Sequence, residues 1–225
     1  MQWIVLLVLL SFTVPSLAQE PMRLGVPQLK PFTYLENNTF KGSAIQPIEQ
    51  ALNASGIKYT FIYIENYSLL LKAVRKGSID GFFIGTKNIE RDRYAEFSKP
   101  ILVDYYSWFT LNDAPYEAGS RELKLQGKIG AVAKTNSYRL SIRRGFQVYG
   151  QPSTLLAEQF INGTLDAVFA TEGPFTYQLD ALNFPKERYN IQQESERPFA
   201  MYISKKYLNQ FPDTLKKINQ HIVTR

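Results

Sequence analysis

The fold of this chain is decided by the stretch Gly77 Ser78 Ile79 Asp80 Gly81 Phe82 Phe83 Ile84 Gly85 Thr86, which a polar loop extends to Pro100. The glycine at its start predicts the end of a helix, because glycine adopts the left-handed backbone conformation that closes helices. The apolar run that follows predicts a short buried strand. Thr86, Asn88 and Arg91 come directly after it. Ligands bind at the carboxyl ends of strands in α/β units, so we expect a binding loop here.

The same order of residues occurs a second time, at Asn162 Gly163 Thr164 Leu165 Asp166 Ala167 Val168 Phe169 Ala170 Thr171 Glu172. Both copies run through glycine, hydroxyl, aliphatic residue, aspartate and apolar strand. Strands and helices alternate along the rest of the chain, which is typical of α/β sheets covered on both faces. The sequence therefore predicts two α/β lobes, the first formed by residues 19–103 and 195–225 and the second by residues 104–194, with crossings near 101–106 and 195–199.

The first eighteen residues have the composition of a cleaved secretory signal peptide. They contain no charged side chain, an apolar block and a small-x-small site that ends at Ala18. The block is shorter than the roughly 20 residues that span a bilayer. The chain has no cysteine, and an exported protein without disulfides fits a bacterial periplasm. We expect a soluble periplasmic protein after cleavage.

Composition excludes several other functions. The formal charge is +6 and the pI about 9.3, but the basic residues are scattered, whereas a nucleic-acid site needs them on one face. Attraction of anionic ligands, or of an anionic membrane surface, is the milder inference. With one histidine, His221, and no cysteine, the chain lacks a zinc-type ligand cluster and a Ser, His, Asp triad. We therefore predict no metal and no cofactor.

The motifs together resemble the extracytoplasmic solute-binding proteins of ABC importers, in the polar amino acid binding group with the type II periplasmic binding fold. The resemblance covers nearly the whole chain after the signal peptide. It rests on these segments: Pro31 to Tyr34 with Gly42, Gly77 to Asp80, Glu90 with Arg91, Phe97 with Ser98 and Pro100, Lys128 to Val132, Thr135 to Ser137, and Gly163 to Val168. It implies a non-catalytic, bilobed monomer that closes on a small polar, carboxylate-bearing solute, such as an amino acid, and presents it to a membrane permease or sensor.

The resemblance places Arg91 where the family binds the ligand α-carboxylate. A planar guanidinium is well suited to a bidentate pair with a carboxylate. The alternative is that Arg91 belongs to a solvated charge cluster and pairs with Glu90, Asp92 or Glu96.

Three further residues of the first lobe are candidates by position. Thr86 is the best hydroxyl donor to the ligand, and Tyr67 matches an aromatic residue that covers the ligand side chain in the family. Thr86 and Asn88 are equally suited to cap the next helical turn. Tyr67 is nearly as well explained as a tyrosine at the edge of the core.

In the second lobe, Thr135, Asn136 and Ser137 precede a helix whose N–H groups and hydroxyls can meet an anion, with helix capping as the alternative. Where the family's amino acid binders hold the α-ammonium with an aspartate, this chain has Thr171 followed by Glu172. Either Glu172 replaces that aspartate, or the ligand is a carboxylate without an ammonium group.

Two other interpretations stay open. Cyclohexadienyl dehydratases resemble this family in fold, and Glu172 is the candidate general acid for such an enzyme. A basic group, Arg139, Arg143 and Arg144, is most simply the solvated face of its helix, with permease docking as a more remote alternative.

Overall fold

The computed structural model describes residues 20–133 and 135–224. The predicted signal peptide, residues 1–18, lies outside them. The strands in this part of the chain are β1 (Met22–Pro27), β2 (Tyr34–Glu36), β3 (Thr39–Lys41), β4 (Tyr59–Ile64), β5 (Gly81–Thr86), β6 (Ala95–Leu111), β7 (Ile129–Val132), β8 (Val148–Gln151), β9 (Ala167–Thr171) and β10 (Tyr189–Ser204).

The helices are α1 (Ile45–Ala54), α2 (Tyr67–Lys76), α3 (Ile89–Asp92), α4 (Arg121–Gln126), α5 (Asn136–Arg143), α6 (Ser153–Ile161), α7 (Glu172–Ala181), α8 (Lys205–Gln210) and α9 (Thr214–His221). A 3-10 turn, Lys186–Arg188, precedes β10. Within the described ranges no helix is both long enough and apolar enough to cross a bilayer.

Eight strands follow one another in the order β4-β1-β5-β10-β6-β9-β7-β8. At one end β1 is parallel to β4 and β5, and at the other end β7 is parallel to β8 and β9. The two long strands β6 and β10 run antiparallel between these halves, from Tyr189 opposite Leu111 to Ser204 opposite Ala95. The predicted α/β architecture with two lobes is confirmed.

Each half of the sheet has its own apolar cores. One set of buried side chains lies around β1, β5 and α1, and another around β7, β9 and α6. Along β6 the change from the first set to the second falls between Leu102 and Tyr106, and along β10 it falls between Phe199 and Ile191. The lobe boundaries predicted at 103 and 194 lie inside these crossing segments and stay a prediction.

The repeated aspartate has the same structural role in both lobes. Asp80 N–H donates to the Arg23 carbonyl at 2.8 Å, and Arg23 N–H donates back to Asp80 Oδ2 at 2.9 Å. In the second lobe Asp166 N–H donates to the Lys128 carbonyl at 2.9 Å, and Lys128 N–H donates to Asp166 Oδ2 at 2.6 Å. Each aspartate therefore fixes the start of its strand to the start of the parallel strand beside it.

The prediction that the polar loop extends to Pro100 is wrong. A short helix, α3, occupies its centre, and β6 already begins at Ala95, so that Pro100 lies inside a strand. Proline has no N–H to donate to a ladder, and strands accept it at irregularities. Pro100 pairs with Ala200 where the register between β6 and β10 shifts, which explains how the strand continues past it.

We expect Asp80→Ala to lower the free energy of unfolding by about 1 to 3 kcal/mol, because the Arg23 N–H and its guanidinium lose their acceptor. Urea denaturation measures this change. Asp113→Ala, which removes an exposed acid from the turn after β6, is the matched control. Equal midpoints for the two variants would contradict the role assigned to Asp80.

Candidate ligand-binding site

A cavity of about 910 Å³ lies between the two lobes. Its wall includes the last residues of β5 and β9, the starts of α2 and α5, and the crossing segments of the two long strands. It thus lies at the carboxyl ends of parallel strands, as expected for the fold. Most of the predicted binding residues line it: Tyr67, Thr86, Arg91, Thr135, Asn136 and Thr171.

Arg91 lies on the first lobe's side of the cavity. Its Nη1 donates to the Thr86 carbonyl at 2.9 Å. Two of the three alternative partners predicted from sequence bind other groups, since Glu90 pairs with Arg75 and Asp92 Oδ1 accepts from Tyr202. No ion pair among the described residues involves Arg91, which therefore lines the cavity without a carboxylate partner.

Asn88 does not line the cavity. It is the N-cap of α3, where its Oδ1 accepts from Glu90 N–H at 2.9 Å and from Arg91 N–H at 3.4 Å. The capping alternative therefore describes Asn88, and its effect on the site is indirect because it orients the helix that carries Arg91.

Two tyrosines hold the Arg91 guanidinium in place. Its Cζ lies 5.7 Å from the ring centroid of Tyr67 and 6.0 Å from that of Tyr202, within the range of cation–π attraction. The Tyr67 hydroxyl donates to the Ile84 carbonyl. Burial raises the pKa of Tyr67 well above its ordinary value, with Arg91 acting in the opposite direction, so the hydroxyl stays a neutral donor.

The acceptor of that hydrogen bond is an unusual backbone group. Ile84 has a φ of 58°, which is rare for a β-branched residue. The register between β10 and β5 shifts between Ala200 and Tyr202, opposite this residue, as in a β-bulge. The bulge frees the Ile84 carbonyl from the ladder and makes it available to Tyr67. This strained backbone at the cavity wall had no signal in the sequence.

Among the second-lobe residues, Thr135 and Ser137 serve the local structure. Thr135 Oγ1 accepts from Tyr138 N–H at 3.3 Å and donates to the Val132 carbonyl at 2.6 Å, so the capping alternative describes it. Ser137 is buried, lies outside the cavity wall and contacts Thr135 Oγ1 at 2.9 Å.

Asn136 instead connects the lobes. Its Nδ2 donates to Thr86 Oγ1 across the cleft at 3.5 Å, and its Oδ1 accepts from Arg139 Nη1 at 3.3 Å. Arg139 itself lines the cavity. Its side chain is exposed, as expected for the solvated face of its helix, and in the first turn of α5 it also borders the cleft.

Thr171 and Glu172 point in different directions. Thr171 ends β9 and lines the cavity. Glu172 is not on the cavity wall, because its Oε2 accepts from Ser107 Oγ at 2.6 Å and its Oε1 accepts from Gln193 Nε2 at 3.4 Å. In this arrangement Glu172 occupies neither the position of a ligand-ammonium partner nor that of a general acid in the cavity.

The cavity wall carries positive charge only. Within residues 20–133 and 135–224 its charged members are Arg91 and Arg139, and no aspartate or glutamate lines it. Such a surface attracts anions and disfavours cations.

A buried carboxyl joins the crossing segment to α7. Asp104 accepts from Gly173 N–H at 3.1 and 3.2 Å and from Tyr105 N–H at 2.8 Å. Burial raises the pKa of Asp104 to about 6, and Glu172 adds to the effect, while the two backbone donors oppose it. Asp104 therefore titrates in the mildly acidic range.

The lobes also meet directly beside the cavity. A Cβ on Gly173 would lie 2.7 Å from Phe32 Cζ of the first lobe, so glycine permits this spacing. Nearby, Lys30 Nζ lies 4.9 Å from the Tyr34 ring of its own lobe and 5.5 Å from the Tyr177 ring of α7. These contacts hold the two lobes together at one edge of the cleft.

Comparison with known proteins supports the fold. No family model matches the chain, and no curated protein sequence matches it. The chain is similar in structure to the arginine-, lysine-, histidine-binding protein ArtJ from Geobacillus stearothermophilus, with a TM-score of 0.70 and 15% identity over 90% of this chain and 88% of ArtJ. A histidine kinase sensor domain with similarity to periplasmic binding proteins gives a TM-score of 0.74 at 14% identity, over 90% and 88% of the two chains.

The GluR0 ligand-binding core from Nostoc punctiforme, solved in complex with L-glutamate, gives a TM-score of 0.70 at 16% identity and covers 90% of this chain and 91% of that one. At these identities the similarity establishes the fold, which is the bilobed architecture of periplasmic binding proteins.

The pKa of Asp104 predicts a pH dependence. Because its folded value of about 6 lies above the ordinary 3.8, the stability that this group contributes is complete below pH 4 and is lost as the pH rises through 6. Asp104→Asn keeps an acceptor for Gly173 N–H but does not titrate. We therefore expect its Tm, relative to the parent, to rise between pH 4 and pH 7.

Thermal unfolding at four pH values checks this, with Asp113→Asn as the control for the loss of one carboxylate. A Tm difference between Asp104→Asn and the parent that stays constant with pH would contradict a buried, titrating carboxyl.

Gly173→Ala should push the lobes apart, because the new methyl group collides with the Phe32 ring. We expect a larger radius of gyration by small-angle X-ray scattering than for the parent. Phe32→Leu, added to Gly173→Ala, removes the colliding ring atom and should restore the parental value. An unchanged radius in Gly173→Ala would rule out this contact as a determinant of the spacing.

Proposed function

We propose that this protein is a periplasmic solute-binding protein that closes its two lobes around a small carboxylate-bearing solute and presents it to an ABC importer. The observation that carries the proposal is the position of Arg91. Its guanidinium lies on the cavity wall, is held by the Thr86 carbonyl and by two tyrosine rings, and has no ion-pair partner in the described part of the chain.

The chemistry of the site favours a carboxylate. A guanidinium presents paired N–H donors that match the two oxygens of a carboxylate. Closure excludes water and strengthens the pair, since electrostatic attraction grows as the local dielectric falls. The cavity volume of about 910 Å³ is in the range of small-molecule sites. Closure by rotation about the two crossing segments would report ligand occupancy to a partner.

The expected location and partners follow from the same proposal. The predicted signal peptide would carry the chain to the periplasm, where a monomer meets a membrane permease. Structural neighbours that bind amino acids support a solute-binding role at the level of the fold. A binding role is preferred to a dehydratase because Glu172 is bonded to Ser107, away from the cavity wall.

A second version of the proposal has the same binding step and a different partner. The similarity to a histidine kinase sensor domain favours a membrane signalling protein as the receiver. Copurification of the ligand-loaded protein with either a permease or a kinase from the native membrane separates the two versions.

We expect saturating carboxylate ligand to stabilise the protein lacking residues 1–18. At 100 times its Kd a ligand adds about 2.7 kcal/mol to the free energy of unfolding. A thermal-shift screen of amino acids, organic acids, amines and sugars measures this effect. The best carboxylate should then bind Arg91→Gln about 10- to 100-fold more weakly, the loss typical of a charge-assisted hydrogen-bond pair.

The matched control is Arg93→Gln, an exposed arginine two residues further along that does not line the cavity. A screen in which amines or sugars bind and carboxylates do not would overturn the proposal. Equal affinities for Arg91→Gln and Arg93→Gln would remove Arg91 from the site.

A further inference from the structure

We propose that the cavity selects a ligand with two carboxylates and no ammonium group, held between Arg91 of the first lobe and Arg139 of the second. This inference rests on the proposed function and specifies the ligand class. It depends on Arg139, whose side chain reaches the cleft from the first turn of α5.

Arg139 has the properties of a second anion-binding group. Its Nη1 donates to Asn136 Oδ1 at 3.3 Å, which holds the guanidinium near the start of α5. It takes part in none of the ion pairs found among the described residues, whereas Arg144, at the other end of the same helix, pairs with Glu194. A guanidinium carries five N–H donors, so most of the donors of Arg139 remain for a ligand.

The two arginines are fixed on either side of one contact between the lobes. Arg91 donates to the carbonyl of Thr86, and Asn136 donates to the hydroxyl of the same Thr86 while accepting from Arg139. One short polar chain therefore orders both guanidinium groups. Both arginines line the same cavity, so a ligand long enough to reach across it can contact both.

Charge balance then decides how many anionic groups the ligand carries. Two cations that face one cavity repel each other, and a single carboxylate leaves one of them uncompensated. A dianion neutralises both, and complementary charge of this kind also sets specificity. An ammonium group would find no acidic side chain on the described cavity wall, so its loss of hydration would not be offset by an ion pair.

Part of the remaining wall suits a hydrocarbon spacer. Apolar side chains from both lobes and from the crossing strand line the cavity: Leu29, Leu69, Leu71, Ile84, Pro174 and Phe199. The ligand class that meets these conditions is a dicarboxylate with an apolar backbone.

The test is calorimetric titration with matched pairs of acids. Succinate, glutarate, adipate and pimelate are compared with the monocarboxylates of equal chain length, and glutarate is also compared with L-glutamate, which differs by the ammonium group. We expect the best dicarboxylate to bind at least about 10-fold more tightly than its monocarboxylate partner. L-Glutamate should bind more weakly than glutarate.

Variants then assign the second carboxylate to Arg139. Arg139→Gln should abolish the preference for the dicarboxylate and leave the affinity for the monocarboxylate within about 2-fold, because Arg91 still binds one end. Arg143→Gln, which removes the same charge from the same helix at an exposed position off the cavity wall, should keep the preference. Circular dichroism confirms that both variants are folded.

Each other outcome has a distinct meaning. A dicarboxylate preference that survives Arg139→Gln, or that Arg143→Gln also abolishes, overturns the second binding group while the proposed function stands. Tighter binding of L-glutamate than of glutarate overturns the exclusion of ammonium. Absence of binding by every carboxylate overturns this inference together with the proposed function.

Discussion

The antiparallel pairing of β6 with β10 is the constraint on which the rest of the structure depends. The parallel strands of each lobe join the sheet through these two strands. β5 of the first lobe pairs with β10, and β9 of the second lobe pairs with β6. The ladder shifts register between Gln193 and Ser195 and twice more between Phe199 and Tyr202. Such irregularities bend a strand and interrupt its hydrogen bonds. They are concentrated where the chain passes between the lobes, which places the most deformable part of the sheet directly beside the cavity.

The same geometry couples charge to closure. Arg91 is fixed to the first lobe and Arg139 to the second, so bringing the lobes together brings two cations together. Repulsion between the two cations opposes closure of the empty protein. With an anion between them, the electrostatic energy favours closure instead. A ligand shifts a conformational equilibrium only by its difference in affinity for the two states. For the dicarboxylate proposed above, that difference would come from its contact with both arginines at once, and anionic charge would then favour closure.

The repeated features of the fold could be predicted from the sequence, whereas the features that depend on long-range packing could not. The glycine of each repeat follows a helix in the left-handed conformation, and the aspartate binds the start of the adjacent parallel strand. The repeated pattern was therefore sufficient to predict two lobes, and the residues after β5 were sufficient to place Arg91 at the cleft. The exposure of Arg139 was predicted, but its place at the cleft was not, because a helical pattern distinguishes solvent from core, whereas the direction of the opposite lobe is set by β6 and β10. The left-handed Ile84 was missed because isoleucine rarely adopts that conformation, and it is imposed by the bulge against β10.

The start of α7 explains why the second lobe relies on a side-chain cation. The positive end of a ten-residue helix attracts anions, but here protein carboxyls already surround it. Asp104 accepts from Gly173 N–H, and the Glu172 carboxylate accepts from the Ser107 hydroxyl of β6. Thr171 is left as the neutral group of this segment that faces the cavity. At α5 the cap Thr135 is likewise bonded to its own helix. Since Asp104 of β6 occupies the start of α7 and Thr135 caps α5, the charged group of the second lobe that lines the cavity is Arg139.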